Sequence, residues 1–212
     1  ANSNIQTALF DFYPDSPKGK AALKKSLAEL RRAHQCDAFI LSVHVSDPEY
    51  VLGVTKARRT YFYELLNAGV DIIWANHSHV TKPWERIVDA EGKTVKFIMY
   101  GAGNTISGQN IPINFADPAH PYEYTGTGVI FGMELKQVQT DVHAAAIGSA
   151  AAGTLSIENI QTEIIVTHAD EKSNYVIKRL TEDFIGRQNK KLAAYYAKRL
   201  SLMRQIGEIT WP

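Results

Sequence analysis

The sequence predicts an α/β protein whose sheet mixes parallel and antiparallel strands. Short apolar runs rich in β-branched residues alternate, in the first half, with segments whose apolar residues recur at helical spacing. That alternation favours at least one parallel strand–helix–strand unit. In the second half, strand-like runs follow one another without a helix between them, which favours antiparallel pairing.

Composition excludes several classes of protein. The chain has 212 residues, of which 45% are hydrophobic and 21% are charged, as in an ordinary globular protein. A net charge of +1 gives no support for nucleic-acid binding, and the single cysteine, Cys36, excludes an internal disulfide. No apolar run has the length of a membrane span, and no signal peptide is visible. We expect residues 1–212 to form a single domain.

The first elements have clear boundary signals. Thr7–Tyr13 is predicted to be a strand or an extended lead-in segment. Ser16 followed by Pro17 predicts a helix start, with serine as the N-cap and proline at the first helical position. The apolar stripe of this helix consists of Leu23, Leu27 and Leu30.

Two buried strands follow, and each ends in histidine. Asp37–Val43 is nearly continuous in apolar residues and leads into His44. Residues 54–68 have helical spacing, with a glycine at the C′ position. The next strand ends in His77-Ser78-His79, and alternate residues of an extended chain face the same way, so both imidazoles can point to one metal ion. A polar loop with two unrelated histidines is the alternative.

A third strand reaches the same edge. After a loop containing Pro83–Glu85, residues 95–100 form an apolar run that leads into a glycine-rich segment containing Asn104. Ligands bind at the carboxyl ends of the strands in open α/β sheets. Three strand ends would therefore bring His44, the His-x-His pair and Asn104 to one place.

The second half gives weaker signals. Residues 110–126 are predicted to be a long loop over the ligand edge, and Thr127–Lys136 a strand. Residues 141–153 are small and low in complexity, which indicates a turn. Residues 154–167 are predicted to return as one or two antiparallel strands, and residues 173–206 to be helical.

Three motifs in the same order resemble a known family. They are Ile40-Leu41-Ser42-Val43-His44 with Glu49-Tyr50, Ala68-Gly69-Val70-Asp71-Ile72-Ile73 with His77-Ser78-His79-Val80, and Met99 to Gln109. The chain resembles the poly-γ-glutamate capsule-biosynthesis proteins, which are CapA-like members of the calcineurin-like metallophosphoesterase superfamily. The resemblance is strong over residues 37–110 and extends weakly to about residue 170.

The resemblance implies a metallophosphoesterase-like β-sandwich flanked by helices, with a two-metal centre that hydrolyses a phosphoester. By position, His44 and His77 would bind one divalent ion and His79 its neighbour, the ions being manganese, zinc or iron. Glu49 would orient a histidine, and Asn104 would contact substrate or cap the glycine turn. These two residues are the candidate catalytic residues.

The metal site is incomplete in this resemblance. Family members carry further ligands upstream, in Gly-Asp, Asn-Leu-Glu and Ala-Asn-Asn-His motifs, and none precedes His44. We therefore expect the C-terminal portion of a larger domain, binding metal only weakly by itself. Asp141-Val142-His143 imitates an Asp-x-His motif, but we interpret it as an exposed turn. An exposed sheet edge would favour self-association into a homo-oligomer.

Two functions of different classes remain open. The first is a metal-dependent enzyme of the cell envelope or exterior, acting on a phosphoester or a capsule polymer, whose missing ligands come from an upstream part or a second polypeptide. The second is a non-catalytic, envelope-associated binding module with a degenerate metal site. Neither involves nucleic acid or a membrane span in this chain.

Overall fold

A computed structural model describes residues 11–34, 36–138, 154–169 and 174–209 of the chain. Most of the strand expected at Thr7–Tyr13, and all of the Asp141–His143 motif, lie outside the described residues. The α/β class with mixed sheets flanked by helices is confirmed.

Helix α1 spans Pro17–Ala33 and begins where the capping residues predict. The Ser16 hydroxyl accepts a hydrogen bond from the Gly19 amide at 3.1 Å, which satisfies one of the free N–H groups at the helix start. Strand β1 follows at Ile40–His44. Alternate residues of β1 are exposed, so the prediction that this strand is buried on both faces is wrong.

Helix α2 spans Lys56–Asn67, and strand β2 spans Ile72–Asn76. Gly69 follows the helix with a φ of 111°, a left-handed conformation that glycine adopts at low cost. The predicted helix at residues 54–68 is confirmed over residues 56–67. The two strands pair in parallel along their whole length.

Strands β3, Trp84–Val88, and β4, Thr94–Met99, complete a four-stranded sheet of order β1-β2-β4-β3. Strand β4 is parallel to β2, and β3 is antiparallel to β4. The interpretation of Pro83–Glu85 as a loop is wrong for Trp84 and Glu85. The strand carries consecutive charged residues at the edge of the sheet, so it lacks the apolar pattern of its neighbours.

A second, antiparallel sheet has the order β5-β6-β7. Its strands are Thr127–Val138, Thr154–Ala169 and Tyr175–Arg179. The predicted strand at Thr127–Lys136 and its antiparallel partner are confirmed. The helical interpretation of residues 173–206 is wrong for β7, and correct for α3, Glu182–Gly186, and α4, Lys190–Met203.

Two apolar layers connect these parts. Helices α1 and α2 cover one face of the first sheet, through Leu27, Phe62 and Leu65. The other face packs Phe97 and Met99 against Leu155 and Ile157 of β6, so the two sheets lie face to face. Helix α4 packs on the second sheet. Within the described residues, every helix is too short or too polar to span a lipid bilayer.

Candidate functional site

A cleft of about 410 Å³ lies at the carboxyl ends of β1, β2 and β4. The three strands are adjacent and parallel, so their ends share one edge of the sheet. The cleft is lined by eight residues: His44, Asn76, His77, Ser78, His79, Ala102, Gly103 and Asn104. Four of the five predicted site residues line it, and its volume suits a small ligand.

His77 occupies a conformation that the sequence did not predict. Strand β2 ends at Asn76, and His77 has a φ of 106°, which is unfavourable for a residue with a Cβ atom. The assumption that His77 and His79 continue an extended strand is therefore wrong. His77 and His79 still line the cleft, because the positive φ of His77 turns the chain toward the cleft.

His44 and His77 contact each other directly. His44 Nε2 lies 2.8 Å from His77 Nδ1, with the ring planes at 72°. One of these nitrogens must carry the proton that they share. Two nitrogens that bind one ion at about 2.1 Å lie roughly 3.0–3.4 Å apart, so this pair is close to the separation of two metal ligands.

His79 makes a different set of contacts. Its Nδ1 lies 2.9 Å from the side-chain oxygen of Asn104. The amide nitrogen of Asn104 donates to the Thr125 carbonyl and to the side chain of Gln109, both at 3.0 Å. The structure thus pairs His79 with Asn104, and His44 with His77.

The segment after β1 packs against His79. The Glu49 carbonyl accepts hydrogen bonds from the His79 amide at 3.0 Å and from the Ser78 hydroxyl at 3.3 Å. The Tyr50 ring stacks on the His79 imidazole, with ring centroids 5.8 Å apart and planes at 19°. Burial, and then the neighbouring Glu49, raise the pKa of Tyr50. The described contacts of Glu49 with the histidine therefore involve its backbone.

A buried lysine holds this segment in place. Lys82 is 2% exposed, and its ammonium group donates to the carbonyls of Val51, at 2.5 Å, and Gly53, at 3.0 Å. Burial lowers the pKa of Lys82, which the carboxylate of Asp47 partly opposes. No sequence signal marked Lys82, because its role depends on carbonyl groups about 30 residues earlier.

The loop predicted over the cleft contains a 3-10 helix at Pro121–Gly126. Its Tyr122 ring contacts Tyr50, with centroids 4.8 Å apart, and its Thr125 carbonyl holds Asn104. The prediction that residues 110–126 approach the strand ends is correct in outline. The individual residues Tyr122 and Thr125 were missed, since their contacts are made with distant segments.

The donor set fits part of a metal centre. His44 and His77 offer two imidazole nitrogens that are close to the separation of two ligands of one ion, and neutral imidazole is a common ligand of zinc and iron. Within the described ranges, no three His, Cys, Asp or Glu side chains are grouped so that they could hold an ion. Glu49, the predicted carboxylate, does not line the cleft.

Comparison with known proteins gives one family. Residues 3–109, half of the chain, match the model of the family described as Bacterial capsule synthesis protein PGA_cap. No curated protein matches this chain. The matched segment includes every histidine of the cleft and Asn104, whereas Tyr122 and Thr125 lie beyond it.

Proposed function

Since the chain belongs to the bacterial capsule synthesis protein family PGA_cap, we propose that it contributes to a metal-dependent phosphoesterase that works in capsule production. The observation that carries the proposal is the pair of imidazole nitrogens, 2.8 Å apart, at the ends of adjacent parallel strands. Active sites form at this edge of an α/β sheet. A phosphoester is the substrate class that such a centre handles.

Each histidine has a distinct role in this proposal. His44 and His77 would hold one divalent ion and His79 the neighbouring one. Two such ions, when bound, polarise the phosphoryl group and activate water. Asn104 and the Glu49 carbonyl hold His79 in place, which keeps its imidazole directed at the cleft. Carboxylate ligands would come from another segment or another chain.

The family membership supports a place at the cell envelope or outside the cell. The substrate would be a phosphoester or a capsule polymer, with poly-γ-glutamate as the polymer that the family resemblance implies. The edge strand β1 exposes Ile40, which is 53% accessible, and an exposed edge favours pairing with another strand. The exposed edge of β1 supports the proposal that a partner segment, or a second copy of this chain, pairs with it.

A second function is favoured by a specific observation. The described residues hold no group of three metal-ligating side chains. A catalytic two-metal centre needs more ligands, including anionic ones that balance the charge of the ions. A non-catalytic binding module of the envelope would retain the fold and the cleft without hydrolysis.

Metal titration tests the carrying observation. We expect calorimetry with zinc or manganese to show weak binding to this chain, abolished by His44→Ala and by His77→Gly. Glycine replaces His77 because it adopts a φ of 106° without strain. His34→Ala is the matched control, since His34 is an exposed histidine at the end of α1. Equal binding by all four proteins would refute the histidine site.

Hydrolysis separates the two functions. The protein that carries its complete ligand set should hydrolyse bis(p-nitrophenyl) phosphate with manganese or zinc, and His44→Ala should remove that activity while His34→Ala leaves it unchanged. Metal binding without turnover would favour the binding module. Submicromolar zinc affinity of this chain alone would contradict our expectation that its site is incomplete.

A further inference from the structure

The His79 imidazole is fixed on several sides. Its backbone amide is bound by the Glu49 carbonyl, one ring face lies against Tyr50, and Nδ1 faces Asn104. The remaining nitrogen, Nε2, has no hydrogen bond among the described residues. The chemistry of His79 therefore depends on which nitrogen carries the proton.

The Asn104 amide has only one favourable orientation. Its nitrogen donates to the Thr125 carbonyl at 3.0 Å, and a backbone carbonyl can only accept. A flipped amide would place two oxygens against each other and would lose the bond. The second N–H group donates to Gln109 at 3.0 Å, so both donors are used. The oxygen of Asn104 must then face His79.

We infer that Asn104 is a positioning residue that holds His79 as the Nδ1–H tautomer and leaves Nε2 as the free nitrogen. The oxygen of Asn104 accepts only, so His79 Nδ1 at 2.9 Å must be the donor. The lone pair of a neutral imidazole is then on Nε2. The use of Nε2 as a metal ligand depends on the proposed function, whereas the tautomer itself does not.

The acceptor that orients Asn104 is itself immobilised. Thr125 is fully buried, and its hydroxyl donates to the Tyr122 carbonyl at 2.6 Å. Arg199, also fully buried, donates to the Pro118 carbonyl at 3.0 Å and to the Thr127 hydroxyl at 2.8 Å. Residues beyond the matched family segment thus fix the carbonyl that orients Asn104, and through Asn104 they determine the tautomer of His79, which lies within the segment.

Nitrogen NMR of the imidazole rings tests the inference. The full chain, labelled with nitrogen-15 and freed of metal by a chelator, is measured at a pH of about 8.5, where an ordinary histidine is neutral. His79→Gln assigns the signals. We expect wild-type His79 to show a protonated Nδ1 and an unprotonated Nε2.

Three variants separate positioning from a structural role. Asn104→Leu removes the acceptor, so the Nε2–H tautomer should become the main form. In Asn104→Asp the oxygen that faces His79 is kept, so a folded variant should retain the Nδ1 proton, while the second carboxylate oxygen loses the bond to the Thr125 carbonyl and should lower the stability of the variant. Asn76→Leu is the matched control, since Asn76 lines the same cleft and does not bind His79. It should leave the His79 signals unchanged.

The results are decisive even if one variant fails to fold. A wild-type His79 protonated on Nε2 would overturn the inference, as would an unchanged tautomer in a folded Asn104→Leu protein. These readings come from metal-free protein and need no activity. Failure of phosphodiester hydrolysis would therefore refute the proposed function and leave the tautomer result standing.

Discussion

Replacing the buried carboxylate of Glu85 should destabilise the first sheet strongly. Glu85 is 4% exposed and lies on β3. It accepts hydrogen bonds from the Arg59 guanidinium and the Tyr63 hydroxyl of α2, each with a shortest distance of 2.6 Å. The buried Tyr100 hydroxyl donates to its other oxygen at 2.9 Å. One side chain therefore connects β3 to α2 and to the residue after β4.

Glu85→Leu leaves the Arg59 charge and the Tyr100 hydroxyl without this acceptor. Removing one partner of a buried ion pair costs about 3–5 kcal/mol, and the lower end, about 3 kcal/mol, applies here because the Arg59 side chain is 27% exposed. At about 2–4 °C per kcal/mol for a chain of this size, the melting temperature should fall by roughly 6–12 °C. Adding Arg59→Met should recover part of that loss, because it removes the partly buried charge that the Glu85 carboxylate balances.

Urea unfolding measures both variants. Glu64→Leu is the matched control, since Glu64 lies on α2, the helix that Glu85 contacts, and its ion pair with Lys24 is exposed. Such a pair contributes about 0–1 kcal/mol. The reasoning is refuted if Glu85→Leu costs no more free energy of unfolding than the control. It is also refuted if the double variant is as unstable as the summed single variants.

Three further predictions concern stability and the cleft. Burial raises the pKa of Tyr63 to about 12 from 10.0. The free energy of unfolding should therefore fall as pH rises through that range, because the unfolded chain loses the phenolic proton first. Urea titrations should show a smaller fall for Tyr63→Phe. Gly103→Ala should cost at least about 1–2 kcal/mol in thermal unfolding, because φ is 73° and the added Cβ would lie 2.8 Å from a side-chain oxygen. Lys82→Met should speed hydrogen exchange at residues 49–53, whereas Lys198→Met, an exposed change, should not.

The elements with local signals could be predicted from the sequence. The Ser16 cap followed by Pro17 fixed the start of α1, and Gly69 marked the end of α2. Strands β2 and β4 are apolar because both faces of the sheet are covered over them, whereas β1 is an edge strand with alternate residues exposed. For the two helix ends and for β2 and β4, the determining contacts lie within the element or are implied by full burial.

The missed strands depend on distant partners. Strand β3 buries a glutamate, which is favourable only because the Arg59 guanidinium and two tyrosine hydroxyls surround it. Among the described strands, β7 pairs only with β6, and its Lys178 and Arg179 are exposed. Charged residues among apolar ones have the appearance of an amphipathic helix when that partner strand is unknown.

The position of the cleft could be predicted, but its internal geometry could not. Parallel strands share an edge, so His44, the His-x-His pair and Asn104 had to come near one another. The positive φ of His77 and the carbonyl that orients Asn104 are set by tertiary packing. Their metal and catalytic roles remain predictions.

The cleft is built from two parts of the chain, one inside the segment that matches the family and one outside it. The matched segment, residues 3–109, supplies the imidazoles, yet the group that fixes the Asn104 amide is a backbone carbonyl outside it. Every residue at position 125 would have a backbone carbonyl, so this contact could not be predicted from the sequence. What selects it is the path of the chain from the 3-10 helix into β5, held by the buried Arg199. A histidine motif in this fold therefore supplies the imidazoles, while the packing of the second sheet and α4 orients the Asn104 amide that faces Nδ1 of His79.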